Sequence, residues 1–364
     1  MDDRTLGILA GIAVGIYAFF LTGRPGRFCA SLLSHPVLRK TLRLLAATVA
    51  GVLCFNIWST AAMVVLHIAA FFLLSDIANL LIRKPAPRWR RLHGSGVLPV
   101  LLVACTMLWG SCNMNHVVQT DYTVTTQKSI RSQGYRVVFV SDLHYGTVQS
   151  PSVLRDTLAQ INAQQPDFVI LGGDIVEEGT SLEQMQEVFS LLGTLDAPMG
   201  IYYVYGNHDR QPGSPARTYS NDDLADAIEQ NGIQILEDQS IVGNGELLLI
   251  GRADAAWSGQ SSRKGIQELI SPGQEALYLL TLDHQPLELP ENAEAGVDLM
   301  LSGHTHAGQV FPVGYLTEWA GGLNYGLYRQ GACQCIVSCG FAGWGYGIRT
   351  QGHCEYVVVH ILPA

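Results

Sequence analysis

Residues 136–209 contain three short apolar stretches, and polar residues follow each of them at once. The stretches read RVVFVSDLH (136–144), DFVILGGD (167–174) and IYYVYGNHD (201–209). Helical patterns at 151–165 and 182–192 separate them. A β-α-β-α-β succession of this kind predicts a parallel or mixed sheet covered by helices. Because ligands bind beyond the carboxyl ends of such strands, the polar residues mark a candidate site.

The same pattern continues towards the end of the chain. A helix is predicted from Asn221 or Asp222 to about Gln230, and further strands at 247–250, 276–282, 299–302, 335–338 and 356–361. Five strands in all end in residues that can bind metal, namely Asp142, His144, Asp174, Asn207, His208, His284, His304 and His306. Any one of them alone is ordinarily a turn or capping residue. Five coincidences at strand ends favour a metal site instead.

The residue types of these strand ends predict the kind of metal. Imidazole and carboxylate together suit Mn, Fe, Zn or Co better than Ca or Mg. Two divalent ions about 3.5–4 Å apart can share a carboxylate. The pattern therefore predicts two divalent metal ions at one edge of the sheet.

The order and spacing of these motifs resemble the calcineurin-like metallophosphoesterase superfamily. The resemblance runs from Asp142-Leu-His144 and Gly173-Asp174 through Gly206-Asn207-His208-Asp209 to His284 and Gly303-His304-Thr305-His306. The run from Ser302 to Gln309 and the closing Val337-Ser338-Cys339-Gly340 are similar to the membrane-associated bacterial branch. The resemblance implies an α/β fold, a four-layer α-β-β-α sandwich over residues 135–364.

The resemblance also implies roles for the individual residues. Asp142, His144 and His306 would bind the first metal ion, Asp174 would bridge, and Asn207, His284 and His304 would bind the second. His208 would stabilise the transition state or protonate the leaving oxygen, and Asp209 would orient His208. A hydroxide bridging the two ions would attack phosphorus.

Two departures from related families are visible. Glu177 stands three residues after Asp174, where purple acid phosphatases have a tyrosine, so no tyrosinate–iron chromophore is expected. No basic phosphate clamp is evident. Arg210 and Arg349 are candidates for one, although surface arginine is the ordinary interpretation of each.

Charge divides the chain into two parts. Residues 1–113 hold 11 Lys and Arg against 3 Asp and Glu, whereas the rest holds 11 against 28. Apolar residues make up 48% and charged residues 15% of the chain, which excludes a disordered protein. A net charge of −9 excludes a basic nucleic-acid-binding protein, and eight cysteines in 364 residues exclude a disulfide-dense mini-domain.

The basic part predicts a four-helix transmembrane region. Residues 6–22 and 44–74 are uncharged, and about 20 residues cross the hydrocarbon core of a bilayer. The second run is long enough for two crossings that turn near Trp58. The four predicted spans are 6–22, 42–58, 61–82 and 96–112. Buried core helices are the alternative, but these stretches are apolar on all sides.

Loop charges predict how the spans are oriented. Arg24, Arg27, Arg39, Lys40 and Arg43 precede or begin the second span, and Arg83, Lys84, Arg88, Arg90 and Arg91 follow the third. Both basic loops should stay in the cytoplasm. Four spans then place the N-terminus and everything after residue 113 outside. The predicted division is a transmembrane region (1–113), a linker (114–134) and a catalytic domain (135–364) on the extracytoplasmic face of the cell membrane.

The cysteines divide in the same way. Cys29, Cys54 and Cys105 are expected to pack within or beside the spans, and Cys112 near the membrane surface. Cys333, Cys335, Cys339 and Cys354 could form one or two disulfides in an exported domain. A zinc site is the weaker alternative, because their spacing is not that of paired Cys-x₂-Cys ligands.

Together these observations predict a membrane-anchored phosphoesterase with two metal ions. Its substrate would be a phosphodiester or phosphomonoester, with a lipid-linked or cell-envelope phosphate suggested by the anchor alone. No nucleic-acid partner is expected, and the sequence leaves the oligomeric state open. A nucleotide or lipid-linked pyrophosphatase is the alternative enzyme, and a non-catalytic membrane sensor or scaffold is the alternative from another class.

Overall fold

The computed structural model describes residues 3–23, 35–57, 59–82, 84–256 and 263–364. Arg24, Arg27, Cys29, Trp58 and Arg83 lie outside these residues. The chain forms two compact units, one up to Ser111 and one from Cys112 onwards.

The first unit is helical. Its elements are α1 (Asp3–Thr22), α2 (Pro36–Leu53), α3 (Thr60–Leu81), α4 (Pro87–Ser95) and α5 (Val97–Met114), whose last turn belongs to the second unit. Among the described residues, three helices are long and apolar enough to cross a membrane, within Thr5–Thr22, Thr60–Leu81 and Val97–Met114.

The second predicted span, 42–58, differs from the helix found there. Pro36 at the first turn starts α2 earlier, and α2 ends at Leu53. The helix therefore includes Arg39, Lys40 and Arg43 and leaves ten uncharged residues, which span about 15 Å. That length is about half the hydrocarbon core.

Small residues let α1 and α2 approach closely. Gly7, Gly11 and Gly15 recur every fourth residue along α1. A Cβ added to Gly11 would lie 2.6 Å from Gly51 O, and one added to Gly15 would lie 3.2 Å from Ala47 O. Such stripes of small residues are typical of helix contacts in membranes, where close packing drives association.

The second unit contains two six-stranded sheets. The first sheet has the order β1-β12-β2-β3-β4-β5 and the second β10-β11-β9-β8-β7-β6. The strands of the first sheet are β1 (Val117–Thr126), β2 (Tyr135–Val140), β3 (Phe168–Leu171), β4 (Ile201–Tyr203), β5 (Ile233–Ile235) and β12 (Cys354–Pro363). Those of the second are β6 (Gln239–Gly243), β7 (Leu247–Gly251), β8 (Tyr278–Leu282), β9 (Leu299–Ser302), β10 (Gly326–Gln330) and β11 (Cys333–Val337).

The two sheets face each other across one apolar core. Phe139 and Ile170 of the first sheet share this core with Leu280 and Leu301 of the second. Helices α6 (Pro151–Ala163), α7 (Leu182–Leu192) and α8 (Asn221–Gln230) cover the outer face of the first sheet. Helix α9 (Leu289–Glu294) and short 3₁₀ helices cover the second. This arrangement agrees with the expected mixed α/β fold built on two sheets.

The segment expected to be a linker contains strand β1. Residues 117–126 pair in parallel with β12 along their whole length. They read VVQTDYTVTT, and the β-branched residues in this run favour an extended strand over a flexible connection. The edge strands β5, β6 and β10, of three to five residues each, were also missed.

Candidate metal centre

The predicted ligands follow the carboxyl ends of neighbouring parallel strands in both sheets. In the first sheet, Asp142 and His144 follow β2, Asp174 follows β3 and Asn207 follows β4. In the second sheet, His284 follows β8, and His304 and His306 follow β9. Since the two sheets pack face to face, these strand ends meet at one edge of the sandwich.

Six of the seven side chains form two groups of potential ligands. The first group consists of Asp142, His144 and His306, and the second of Asp174, His284 and His304. Within each group, the three donor atoms lie within 4.8 Å of one another. Asp174 Oδ2 is 3.1 Å from His284 Nε2 and 3.9 Å from His144 Nε2. Asp174 therefore stands between the groups, where one carboxylate can serve both.

The donor atoms fit divalent cations. His144 Nε2 and His306 Nε2 face each other at 3.3 Å, and the buried Asn207 Oδ1 has no hydrogen-bond partner among the described residues. Opposed or unpaired lone pairs inside a protein are unfavourable, and a cation relieves them. Imidazole, carboxylate and amide together suit a divalent transition-metal ion.

The second nitrogen of three imidazoles is held in place. His284 Nδ1 bonds Gly172 O at 2.8 Å, and His306 Nδ1 bonds Ala342 O at 3.2 Å. His144 Nδ1 lies 2.9 Å from Glu177 Oε2. Such contacts direct Nε2 of each ring towards the site and are usual around metal-binding histidines.

The ionisation of the metal-free site agrees with this geometry. Burial lowers the pKa of His306 to about 3 and also lowers the pKa of His304, so both rings are neutral, as metal binding requires. Although burial opposes it, the Asp174 carboxylate raises the pKa of His284 well above its usual value.

The backbone carries unusual conformations at the ligands. The φ angle is positive at Asp142, His144, Asp174, His304 and His306, five of the seven positions. Each such non-glycine residue costs about 1–3 kcal/mol, and such residues cluster at functional sites. Backbone bonds from Asp142 N to Gly173 O and from His144 N to Asp174 O, both 3.0 Å, hold the two turns together.

Two glycines leave room for the carboxylates. A Cβ on Gly206 would overlap the Asp174 side chain, and a Cβ on Gly303 would overlap the Asp142 side chain. The absence of a side chain at these positions is therefore a requirement of the site.

His208 is held differently from the expectation. Its Nδ1 lies 2.7 Å from Glu178 Oε2, and its backbone N–H donates to Asp174 Oδ1 at 2.8 Å. Asp209, expected to orient His208, instead accepts backbone N–H groups of Asp174 at 2.9 Å and Gly206 at 2.6 Å. Asp209 therefore positions the turns after β3 and β4, and Glu178 orients the imidazole.

A loop from residue 341 to 353 closes one side of the site. The Trp344 ring lies 5.2 Å from the His208 ring, centroid to centroid. Gln309 fixes this loop, because its Nε2 donates to the carbonyl oxygens of Trp344, Tyr346 and Ile348, and its Oε1 accepts from Trp344 N.

The sequence predicts no role for Glu178 or Trp344 and marks Glu177 only as a departure from other families. A weak signal for Glu177 and Glu178 existed, since both follow the predicted bridging Asp174 within four residues. Gln309 ends the motif that runs from Ser302 to Gln309, but the motif predicts no role for it. Nothing in the local sequence connects Trp344 with His208, because 135 positions separate them.

Neither candidate arginine is a surface residue. Arg349 is fully buried, and its guanidinium donates to the carbonyl oxygens of Cys339 at 2.8 Å and Ala342 at 2.6 Å. Arg210 forms a two-bond pair with Glu237, both bonds 2.8 Å, and lies over the Tyr205 ring. Both guanidinium groups are engaged in holding loops of the domain.

The four C-terminal cysteines are buried free thiols, so the disulfides considered above are not present. Cys339 forms a third group of potential ligands with His353 and Glu355. Glu355 already accepts from Ser338 Oγ at 2.9 Å, Cys339 N at 3.0 Å and His353 Nε2 at 3.0 Å. These hydrogen bonds satisfy the buried Glu355 carboxylate. We therefore interpret Cys339, His353 and Glu355 as a structural group.

Comparison with known proteins finds a family model that matches part of the second unit. Residues 135–308 match the model of the calcineurin-like phosphoesterase family. An uncharacterized metallophosphoesterase of Helicobacter pylori is 29% identical over 63% of this chain and 60% of its own length. The chain thus spans about three-fifths of that relative.

Two further relatives differ in how they are described. A protein of Escherichia coli described as phosphodiesterase YaeI is 32% identical over 48% of this chain and 62% of its own length. A transmembrane protein with metallophosphoesterase domain from Danio rerio is 25% identical over 86% of this chain and 74% of its own length.

The close approach at Gly206 leads to a test of the metal centre. The Gly206→Ala protein should bind Mn²⁺ roughly 10–100-fold more weakly, because its Cβ displaces Asp174. Isothermal titration of the metal-stripped full-length protein measures the change. Gly243→Ala is the control, since a Cβ there lies 3.8 Å from its nearest neighbour. Equal affinity of both variants for Mn²⁺ would contradict the shared position of Asp174.

The contact with Glu178 predicts how His208 titrates. Although burial opposes it, the hydrogen bond to Glu178 and the Asp174 charge raise the pKa of His208 to about 9 in the metal-free chain. Glu178→Gln removes the negative partner, so His208 should lose its proton at a lower pH. NMR of ¹³C-histidine-labelled protein measures this shift, with Glu229→Gln on the exposed end of α8 as control. An unchanged His208 pKa in Glu178→Gln would show that another group holds the proton.

Proposed function

We propose that this chain, which belongs to the calcineurin-like metallophosphoesterase superfamily, is a membrane-anchored hydrolase of phosphate esters that uses two divalent metal ions. The observation that carries the proposal is the position of Asp174 between two groups of metal-binding side chains, with His208 beside it. A phosphodiester is the favoured substrate class, since one relative is described as a phosphodiesterase.

The residues of the site divide into ligands and groups that act on the substrate. Asp142, His144 and His306 would hold one ion and Asn207, His284 and His304 the other, with Asp174 shared. When bound, such ions supply a nucleophilic oxygen at neutral pH and neutralise charge on the phosphoryl group.

His208 is the proposed catalytic acid. Because Glu178 engages Nδ1, Nε2 is the nitrogen left to face a substrate. In its protonated form, His208 can donate a hydrogen bond to a phosphoryl oxygen or a proton to the leaving oxygen. Trp344 covers one side of the ring and restricts how much water reaches it.

We propose four membrane spans, with α2 as the second. Three helices meet the length and hydropathy of a span, and the small-residue contact with α1 supports placing α2 in the membrane beside it. The basic residues Arg88, Arg90 and Arg91 of α4 would then lie in the cytoplasm and the catalytic domain outside. An anchored site of this kind favours a phosphate ester carried by a lipid.

The catalytic proposal is tested with the full-length protein in nanodiscs containing Mn²⁺. Bis-p-nitrophenyl phosphate, p-nitrophenyl phosphate and a dinucleotide pyrophosphate are compared as substrates. His208→Ala should lower kcat about 10²–10⁴-fold, the usual contribution of a general acid, and chelation of the metal should abolish turnover.

His360→Ala is the matched control, because His360 pairs with Arg136 at the start of β2, the end opposite the ligands. Preference for the pyrophosphate would favour the alternative enzyme class. Wild-type rates in both His208→Ala and Asn207→Ala would exclude the proposed catalytic role.

The proposed orientation is tested by labelling cysteines in intact cells with a membrane-impermeant maleimide. The background replaces Cys29, Cys105 and Cys112 with serine. Ser152→Cys at the exposed start of α6 should react, whereas Ser95→Cys at the end of α4 should react only after the cells are opened. The reverse pattern would place the catalytic domain in the cytoplasm.

A further inference from the structure

The segment that follows the His304-Thr305-His306 motif exposes an unusual apolar face. Helix α10 (Val313–Trp319) and the residue two positions before it hold large side chains open to solvent. Trp319 is 88% exposed, Phe311 61%, Tyr315 60%, Leu316 56% and Val313 46%. We call these five residues the 311–319 face. Contiguous exposed apolar side chains of this size mark a binding surface.

The sequence around this face carries little charge. Residues 309–328 contain one charged residue, Glu318, although the chain beyond residue 113 holds 28 acidic residues. A surface rich in Trp, Tyr, Phe and Leu without clustered acidic groups is typical of the layer between lipid headgroups and acyl chains. An acidic patch would instead be repelled by anionic lipids.

The first residues of the second unit bond to the loop at 341–353. Met114, the last residue of α5, is buried, and its Sδ accepts from Gly343 N at 3.2 Å. Asn113 Nδ2 donates to the carbonyl oxygens of Arg349 at 3.1 Å and Gly352 at 2.9 Å. The end of α5 is therefore bonded to the loop 341–353.

The loop at 341–353 also accepts hydrogen bonds from the segment that contains the 311–319 face. Phe311 N donates to Thr350 Oγ1 and Gly314 N to Gln351 Oε1, each at 3.1 Å. A Cβ on Gly343 would meet both Met114 and Gln309. One small loop thus joins the end of α5 to the start of the 311–319 face.

The face is also next to the metal centre. The 3₁₀ turn His306–Gly308 contacts α10 directly, since a Cβ on Gly308 would overlap the backbone of Gly314. Only four residues separate His306 from Phe311. The start of the face is therefore close to His306 along the chain.

We propose that the 311–319 face lies in the interfacial layer of a phospholipid bilayer and holds the metal centre at the level of the lipid phosphates. The inference rests on the proposed membrane anchoring and adds a second point of attachment to it. Interfacial helices of this kind bury their apolar face about 5–10 Å into the boundary between headgroups and acyl chains. Substrates presented from that layer would reach the site without leaving the membrane.

The test uses the full chain reconstituted in vesicles of phosphatidylcholine and phosphatidylglycerol. Leu316→Cys carries an environment-sensitive NBD label in the background without Cys29, Cys105 and Cys112, and Tyr315→Cys is a second position. Leu362→Cys is the matched control, because it is an exposed leucine at the end of β12 away from the ligands. Nitroxide lipids and a water-soluble nickel complex serve as quenchers.

Labels at 315 and 316 should emit at shorter wavelength and be quenched several-fold more by the nitroxide lipids than the label at 362. Quenching of the 316 label by nickel to the same degree as the 362 label would overturn the inference. Protection of the 316 label from both quenchers would overturn it too, because a protein, including a second copy, would then cover the face. Flotation of the vesicles in alkaline carbonate tests the membrane anchoring separately from the 311–319 face. A chain that does not float with the vesicles would contradict the anchoring itself.

Discussion

One buried carboxylate holds the two turns on which the metal centre depends. Asp209 is fully buried and accepts the backbone N–H groups of Asp174, Ile175 and Gly206. These groups belong to the turns after β3 and β4, so a single side chain fixes the positions of Asp174 and Asn207 relative to each other. Hydrogen bonds to a charged acceptor are worth about 1.5–3 kcal/mol each, and several converge here.

This stabilisation offsets the cost of the ligand conformations. Five ligand residues adopt positive φ, and Nε2 of His144 faces Nε2 of His306 across the site. Short loops between two tightly packed sheets can hold such conformations, because the strands before them are buried except at Arg136. Cation binding would remove the remaining lone-pair and charge conflicts, so metal affinity and stability of the domain are coupled.

The residues at strand ends were predictable because they obey local rules. Asp142, Asp174 and Asn207 each follow an apolar strand, and parallel strands must end at a common edge. The partners of those residues obey no local rule. Glu178 reaches His208 across 30 positions, and the expected neighbour Asp209 turns away because four backbone N–H groups outcompete one imidazole. Strand β1 was missed because its ladder with β12 joins residues more than 200 positions apart.

Substrate charge makes the metal ions necessary for binding as well as for chemistry. Asp142, Asp174, Glu177 and Glu178 surround the site with carboxylates, and a phosphate ester is itself an anion. Arg210 and Arg349 do not offset this charge, because Glu237 and backbone carbonyl oxygens already engage them. Without cations, the carboxylates at this edge repel an anionic substrate. Two divalent cations would neutralise the charge of these four carboxylates, so loss of metal should weaken substrate binding and turnover together.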